Sequence, residues 1–327
     1  MTRPPEKKRA LLIFSKYPEP GRVKTRLTYL KGGPMMPEVA AEFFTYCLFD
    51  VVEISMAALQ ELQRINDDVC AKDPNHYHVK YDFYVSTTPE EKVLKMRELF
   101  AREQWPMDIN FLVDNGSTFD EHFNDAFQQL FALGYESIVS IGGDIPTIPK
   151  SHITRAFEWL AYFQSIGKPG FVQAPCQECG TSLVGFSYNT PIDHTGVYYN
   201  LDGTPALDAY VQKLRQNNIP SAYFSPVADI DEESDLAHAI SCMFAIEEAA
   251  RYQPDLYPPR RVLDWVRRSH IKVTTPPNAD HDPRQYVDGK ELEETYEEHL
   301  AEKEKASVEN FTDNADGNLK LVGVVEE

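Results

Sequence analysis

The chain has 327 residues, of which 42% are hydrophobic and 25% charged, and its formal net charge at pH 7 is −19. This composition is typical of a globular protein with a sizeable core, and the negative charge argues against general nucleic-acid binding. The sequence has no run of roughly 20 apolar residues that could span a membrane and no signal-peptide pattern, and its five cysteines are scattered. We therefore expect a cytoplasmic protein without a membrane span.

Short apolar runs alternate with longer helical patterns along the chain. Strands are predicted at 10–14, 81–87, 109–114, 135–144, 171–175 and 181–187. Helices are predicted at 39–62, 89–103, 118–133, 151–163, 204–217 and 232–251. Such alternation is the mark of a Rossmann-like α/β fold, in which helices cover both faces of a mainly parallel sheet as three α/β/α layers. Ligands of these folds bind at the carboxyl ends of the strands.

The acidic charge is concentrated at the C-terminal end. Residues 281–327 contain fourteen acidic and five basic residues, which account for −9 of the net charge of −19. A segment so poor in apolar residues cannot bury enough surface to fold alone. We predict a main domain at 8–250, a helical extension at 251–280, and a disordered or partly helical acidic tail at 281–327.

Three cations follow the first predicted strand. In PEPGRVKTRL, Gly21 allows a sharp change of chain direction after the two prolines. Arg22, Lys24 and Arg26 then occupy every second position, and a helix that begins near Thr25 could offer its N–H groups to an anion. Arginine forms bidentate contacts with phosphate and lysine supplies a point charge, so the loop suits a di- or triphosphate. The alternative is a solvent-facing basic loop, which the position at a strand end disfavours.

Two acidic segments could supply a metal site. The fourth strand ends in GGDIPTI, which presents Asp144 after a glycine pair. The segment ADIDEESDL places Asp229 and Asp231 on one side of an extended chain, so either could be a second metal carboxylate. Magnesium typically binds one or two carboxylates together with substrate phosphates and water. The alternatives are a turn at Asp144 and, in the second segment, an N-cap at Asp229, Asp231 or Ser234.

Two weaker signals leave more than one interpretation. Asn115 and Gly116 follow the third strand and could contact the nucleotide or form a turn. Cys176 and Cys179 could form half of a zinc site with residues of the last helix, His238 and Cys242, although the sequence has no second C-x-x-C pair.

Three of these segments resemble a bacterial family of glycosyltransferase-like proteins of the GT-A fold, of the DUF2064 type. SKYPEPGRVKTRL resembles the family's opening A-K-x-P-x-P-G-x-V-K-T-R-L, SIVSIGGDIPTI its G-x-D-x-P-x-L segment, and VADIDEESDL its D-V-D-T-P-E-D-L. GGDIPTI also resembles the Q-G-D-x-P-L-I of sugar-activating cytidylyltransferases. The family is related to nucleotide-diphospho-sugar transferases and 2-phospholactate guanylyltransferases, and the resemblance covers roughly residues 9–245.

The resemblance implies a metal-dependent glycosyltransferase-like enzyme, with nucleotide phosphates at the first loop and Mg²⁺ or Mn²⁺ shared by Asp144 and Asp231. Its partners would be a nucleotide-sugar donor and a small-molecule acceptor. The sequence PCQECGTSLVGF departs from the family's P-A-x-D-G-G-Y-Y-L-I-G, and Glu178 stands where the family has Asp. By this position alone we predict Glu178 as the general base. A nucleotidyltransferase that releases pyrophosphate and a non-catalytic nucleotide- or partner-binding protein are the alternatives.

Overall fold

The structure is a computed structural model that describes residues 6–273, 286–287, 290–291, 297–298 and 300–302. Residues 6–271 belong to one compact unit, and the second unit begins at Lys272. Within the second unit, strands β8 (Tyr286–Val287) and β9 (Lys290–Glu291) pair antiparallel. Most of the predicted acidic tail and the end of the predicted 251–280 extension lie outside the described residues.

Seven strands form the central sheet of the first unit, in the order β3-β2-β1-β4-β6-β5-β7. Only β6 runs antiparallel to its neighbours, and every other pairing is parallel. The mixed α/β fold with a mainly parallel sheet is therefore confirmed. The strands are β1 (Lys7–Phe14), β2 (Val79–Thr87), β3 (Ile109–Val113), β4 (Ser137–Gly142), β5 (Phe171–Pro175), β6 (Thr181–Ser187) and β7 (Ser221–Tyr223).

Seven α-helices flank the sheet. Their bounds are α1 (Pro37–Lys72), α2 (Glu90–Phe100), α3 (Phe119–Ala132), α4 (Lys150–Ser165), α5 (Ala206–Gln216), α6 (Glu233–Ala249) and α7 (Arg260–Arg268). Alternate residues of the buried strands face opposite sides, so that Leu11 and Ile13 pack with α1, α2 and α4, whereas Ala10 and Leu12 pack with α3 and α5. No described helix is both long enough and apolar enough to cross a lipid bilayer.

A third hydrophobic cluster joins α1 to α6 and α7. Phe43 of α1 and Trp265 of α7 are both buried, and their ring centroids lie 5.0 Å apart. Helix α7 therefore packs on the long helix of the main unit, although it lies beyond residue 250. The domain boundaries predicted from the sequence stay a prediction.

A buried carboxylate caps α7. Asp50 of α1 is 1% exposed and accepts hydrogen bonds from the backbone N–H groups of Arg261 (3.1 Å) and Val262 (2.9 Å). Burial raises the pKa of Asp50 to about 7, against these hydrogen bonds and the nearby Arg261 guanidinium. Glu53, Cys47 and Tyr257 are the other titratable groups that interact with Asp50.

The raised pKa of Asp50 predicts a pH-dependent stability. Because the folded state binds this proton more tightly than the unfolded state, the contribution is fully present below pH 4 and is lost as the pH rises through 7. The side chain of Asp50→Asn stays neutral at every pH. We therefore expect the wild type to lose about 2–4 kcal/mol of its free energy of unfolding, relative to this variant, between pH 5 and pH 8. Urea unfolding at both pH values measures the change. Asp264→Asn, at an exposed site on α7, is the control, and a pH-independent difference for Asp50→Asn would show that the carboxyl titrates normally.

Candidate active site

The cations of the first loop turn toward a cleft at the carboxyl ends of the strands. Val23 and Leu27 are buried, Val23 against Ala41 and Phe44 of α1. Burial of these two side chains anchors the loop, and the residues that alternate with them, Arg22, Lys24 and Arg26, line the cleft. Lys24 has a left-handed backbone (φ 47°), and the short 3₁₀ turn Thr25–Leu27 follows it. The predicted helix near Thr25 is thus a single turn.

The cleft has a volume of about 490 Å³ and is lined by residues from distant parts of the sequence. One side is charged and the other is aromatic. The charged side comprises Lys16, Arg22, Lys24, Arg26, Asp144, Asp229 and Asp231. The aromatic side comprises Phe14, Phe119, Phe123 and Tyr198.

Lys24 forms the centre of the charged side. Its Nζ donates hydrogen bonds to Asp144 Oδ2 at 2.6 Å and to Asp231 Oδ1 at 2.7 Å. The lysine side chain is 5% exposed, whereas those of Asp144 and Asp231 are 25% and 40% exposed. Burial opposes the lysine charge, but the two carboxylates outweigh it and raise the pKa of Lys24 above its usual value. The amine of Lys24 is therefore protonated and places a positive charge between the two predicted metal ligands.

Two glycines leave space beside Asp144. A Cβ atom on Gly142 would lie 2.8 Å from Asp144 Oδ1, and one on Gly143 would lie 2.9 Å from Leu48 of α1. The glycine pair thus allows the chain to pass close to α1 and leaves space for the Asp144 carboxylate. The turn after β4 presents this carboxylate to the cleft, as the sequence indicated.

In the acidic segment before α6, neither Asp229 nor Asp231 caps the helix. Glu232 is the N-cap of α6 and forms a capping box with Asp235. The interpretation in which Asp229, Asp231 or Ser234 caps the helix is therefore wrong, since Glu232 takes that role. Asp229 also lines the cleft, and burial together with the charges of Asp144 and Asp231 raises its pKa to about 6.

Glu178 lies at the margin of the charged side. Its side chain is 67% exposed, and the nearest charged partner is Arg26, with 3.7 Å between Arg26 Nη1 and Glu178 Oε2. Neighbouring Gln177 anchors this segment, because its side-chain amide donates a hydrogen bond to the backbone oxygen of Asp229 (2.5 Å) and accepts one from the Asp229 N–H (3.2 Å). Glu178 is not among the residues that line the cleft.

Asn115, Gly116 and Gly21 likewise lie outside the cleft lining. The backbone N–H and side-chain amide of Asn115 donate to Asp125 of α3 at 2.9 and 3.2 Å. A Cβ atom on Gly116 would lie 2.5 Å from the backbone nitrogen of His122. The two residues form the turn into α3, which favours the turn interpretation over nucleotide contact. Gly21 has a φ of 72° and supplies the bend before the cations.

The described residues contain no group of three or more His, Cys, Asp or Glu side chains placed to hold a metal ion. This disfavours the zinc interpretation: Cys242 Sγ lies 3.5 Å from His238 Nε2, while Cys179 is exposed on a separate turn. The pair Asp144 and Asp231 fits a hard divalent cation in its donor chemistry, since two carboxylate oxygens already converge on one cationic atom. Such a site would need substrate phosphate and water as its further ligands.

The phenylalanines of the aromatic side of the cleft were not predicted, whereas the Tyr198-Tyr199 pair suggested either a stacking platform or buried aromatic rings. Phe119 and Tyr198 pack edge to face with 4.9 Å between centroids, and Phe14 packs on Phe119 at 5.2 Å. The Tyr198 hydroxyl is hydrogen-bonded to Thr181 Oγ1 (2.7 Å). The Asp120 carboxylate accepts hydrogen bonds from the backbone N–H groups of residues 197–199 and holds that loop in place. The signal in the sequence was the F-x-x-x-F spacing that opens the helix after β3.

One of three similar solved structures, with a TM-score above 0.5, supports the fold. A provisionally named nucleotide-diphospho-sugar transferase from Desulfovibrio desulfuricans G20 is similar over 80% of this chain and 95% of its own, with a TM-score of 0.55 at 19% identity. A cytidylyltransferase from Leptospira borgpetersenii aligns over 81% of this chain and 95% of its own at 13% identity, with a TM-score of 0.41. CMP:2-keto-3-deoxy-manno-octonic acid synthetase, complexed with CTP, has a TM-score of 0.41 at 9% identity, over 74% of this chain and 100% of its own.

Comparison with curated proteins gave no match. Residues 76–200 match the sequence model of a family described as "Uncharacterized protein conserved in bacteria (DUF2064)". The matched stretch includes the loop of Asp144, whereas the Lys24 loop precedes it and the Asp231 segment follows it. The predicted resemblance to the DUF2064 family is confirmed over residues 76–200, and the first of these solved structures confirms the α/β fold.

Proposed function

We propose that the protein is a metal-dependent transferase that moves a group from a nucleotide-diphosphate-activated sugar to a small-molecule acceptor. The observation that carries this proposal is the convergence of Lys24, Asp144 and Asp231 in one cleft at the carboxyl ends of the strands. A cationic loop and paired carboxylates on one wall form a site of mixed charge in a protein of net charge −19. Such a site is suited to a phosphate group that arrives with its own divalent cation.

Four residues of the charged side have a direct role in this proposal. Asp144 and Asp231 would hold Mg²⁺ or Mn²⁺, which would neutralise charge on the leaving diphosphate. Arg22 and Arg26, which are exposed at the cleft, would bind phosphate oxygens. Thr25 lines the cleft between them and offers its backbone N–H and hydroxyl. This charge stabilisation would supply most of the rate enhancement.

The acceptor would enter from the aromatic side. Phe119, which is 46% exposed, and the half-buried Tyr198 line this side and suit the apolar face of a sugar or another ring. Glu178 stays our prediction for the general base; it would have to swing inward from its exposed position beside Arg26.

Identification of the leaving group tests the proposed reaction. We would incubate the protein with Mn²⁺ and each common nucleotide sugar, or each nucleoside triphosphate with a sugar phosphate, and separate the products by ion-exchange chromatography. Release of a nucleoside diphosphate from a nucleotide sugar, with water as the acceptor of the sugar, is the expected result. Release of pyrophosphate would identify a nucleotidyltransferase, which can use the same charged groups. Nucleotide binding without turnover, hydrolysis included, would identify a non-catalytic binding protein.

A further inference from the structure

The ammonium group of Lys24 lies where the proposed function needs a divalent cation. Its Nζ is 2.6 Å from Asp144 Oδ2 and 2.7 Å from Asp231 Oδ1, so these two oxygens point at one small volume. Magnesium binds carboxylate oxygens at about 2.1 Å. A metal ion that used both oxygens would occupy the volume that now holds Nζ.

The other oxygens of the two carboxylates have different neighbours. Asp144 Oδ1 lies close to Gly142, which has no side chain. Asp231 Oδ2 lies 3.6 Å from Arg26 Nη1. The pair of oxygens that contacts Lys24 converges on one atom, and a second cation close to the ammonium would be repelled by it.

The lysine has a route by which to leave. Both carboxylates are partly exposed to the cleft, so a metal ion can reach them from solvent. The four-carbon side chain of lysine is flexible, and the cleft of about 490 Å³ beside it can receive the displaced ammonium. There the ammonium would join Arg22 and Arg26 in facing a phosphate group.

We propose that Lys24 and the divalent cation exclude each other, so that the cation binds Asp144 and Asp231 only when Lys24 moves out of its position between them. This inference rests on the proposed function. Lys24 is then a positioning residue in two ways. Without metal, it neutralises the two carboxylates, and with metal bound, its ammonium would turn to the phosphates. Phosphate that attracts the displaced ammonium would thereby favour metal binding, and the two ligands would bind cooperatively.

Mn²⁺ affinity tests the exclusion without substrate or turnover. We would titrate MnCl₂ calorimetrically into the wild type, Lys24→Met, Lys16→Met and Asp144→Asn. Lys24→Met is expected to bind Mn²⁺ about tenfold or more tightly than the wild type, because no ammonium has to be displaced. Lys16 is exposed in the same cleft, so Lys16→Met removes an equal charge and controls for general repulsion. Asp144→Asn is expected to lose binding.

Two results of this titration would overturn the inference. An equal gain for both lysine variants would show that only long-range charge matters. Absence of Mn²⁺ binding in Lys24→Met would show that the carboxylates do not hold the ion. Neither result decides whether nucleotide binds, so failure here is distinguishable from failure of the proposed function. Urea unfolding of each variant confirms that it is folded before titration.

A second measurement uses the wild type and does not depend on the folding of any variant. Acetylation by an N-hydroxysuccinimide ester, followed by mass spectrometry, reports the accessibility of each lysine. Lys24 should be protected without metal and labelled several-fold faster in saturating Mn²⁺. Lys92, which pairs with Glu19 at 2.7 Å, is the internal reference and should not change. Lys24 that stays protected while Mn²⁺ binds would show that metal and lysine coexist.

Discussion

Replacement of Asp144 by Asn is expected to reduce metal-dependent turnover at least about 1,000-fold. The amide keeps the shape of the side chain but removes the negative charge that the proposed cation needs. It also leaves Lys24 paired with Asp231 alone, at 2.7 Å. Initial rates of nucleotide release at saturating Mn²⁺ measure the loss.

Asp193→Asn is the matched control for this substitution. Asp193 also pairs with a lysine, Lys213, at 3.0 Å, but it does not line the cleft. Its replacement should leave the rate within about twofold of the wild type, since surface ion pairs contribute little. Equal rates for Asp144→Asn and the control would place the chemistry elsewhere.

Replacement of Trp265 by Ala is expected to lower the free energy of unfolding by about 3–5 kcal/mol. Trp265 is 3% exposed and packs on Phe43, so its removal would leave a cavity between α1 and α7. Urea denaturation followed by circular dichroism gives the value.

The matched control for Trp265 is Trp159 of α4, which is 37% exposed. Trp159→Ala should cost about 1 kcal/mol or less, because solvent already reaches the ring. If Trp265→Ala cost no more than this control, α7 would be a loosely attached extension. A large loss would show that the main domain includes residues beyond 250.

Hydropathy periodicity predicted most of the fold because the main elements are long or continuously buried. The 36-residue helix α1 repeats its apolar positions over many turns, and β1 and β4 are apolar runs in the middle of the sheet. Strand β7 was missed because it has three residues, of which only Ala222 is buried. A strand so short pairs at the sheet edge through its backbone and leaves no pattern in the side chains.

The candidate site could be predicted in its parts but not in its arrangement. The rule that strand ends meet at one edge brought Lys24 and Asp144 together, and their side chains are in contact. Asp231 follows no predicted strand and was predicted from its acidic segment and the family resemblance; it also contacts Lys24. The rule does not say which groups neutralise each other, so the ammonium between the carboxylates could not be foreseen. Asn115 follows a strand as well, but its hydrogen bonds to Asp125 belong to the local turn. Position at a strand end therefore indicates proximity to the site without assigning a role.

Nucleotide binding tests the central claim most directly. We would titrate UDP, GDP, CDP, their sugars and the nucleoside triphosphates calorimetrically into the wild type and Asp144→Ala, with and without Mn²⁺. The account predicts that one diphosphate or its sugar binds the wild type in a Mn²⁺-dependent manner and that Asp144→Ala loses this binding. If none of these nucleotides bound under either condition, the cations of the first loop would serve another purpose and the proposed function would be wrong.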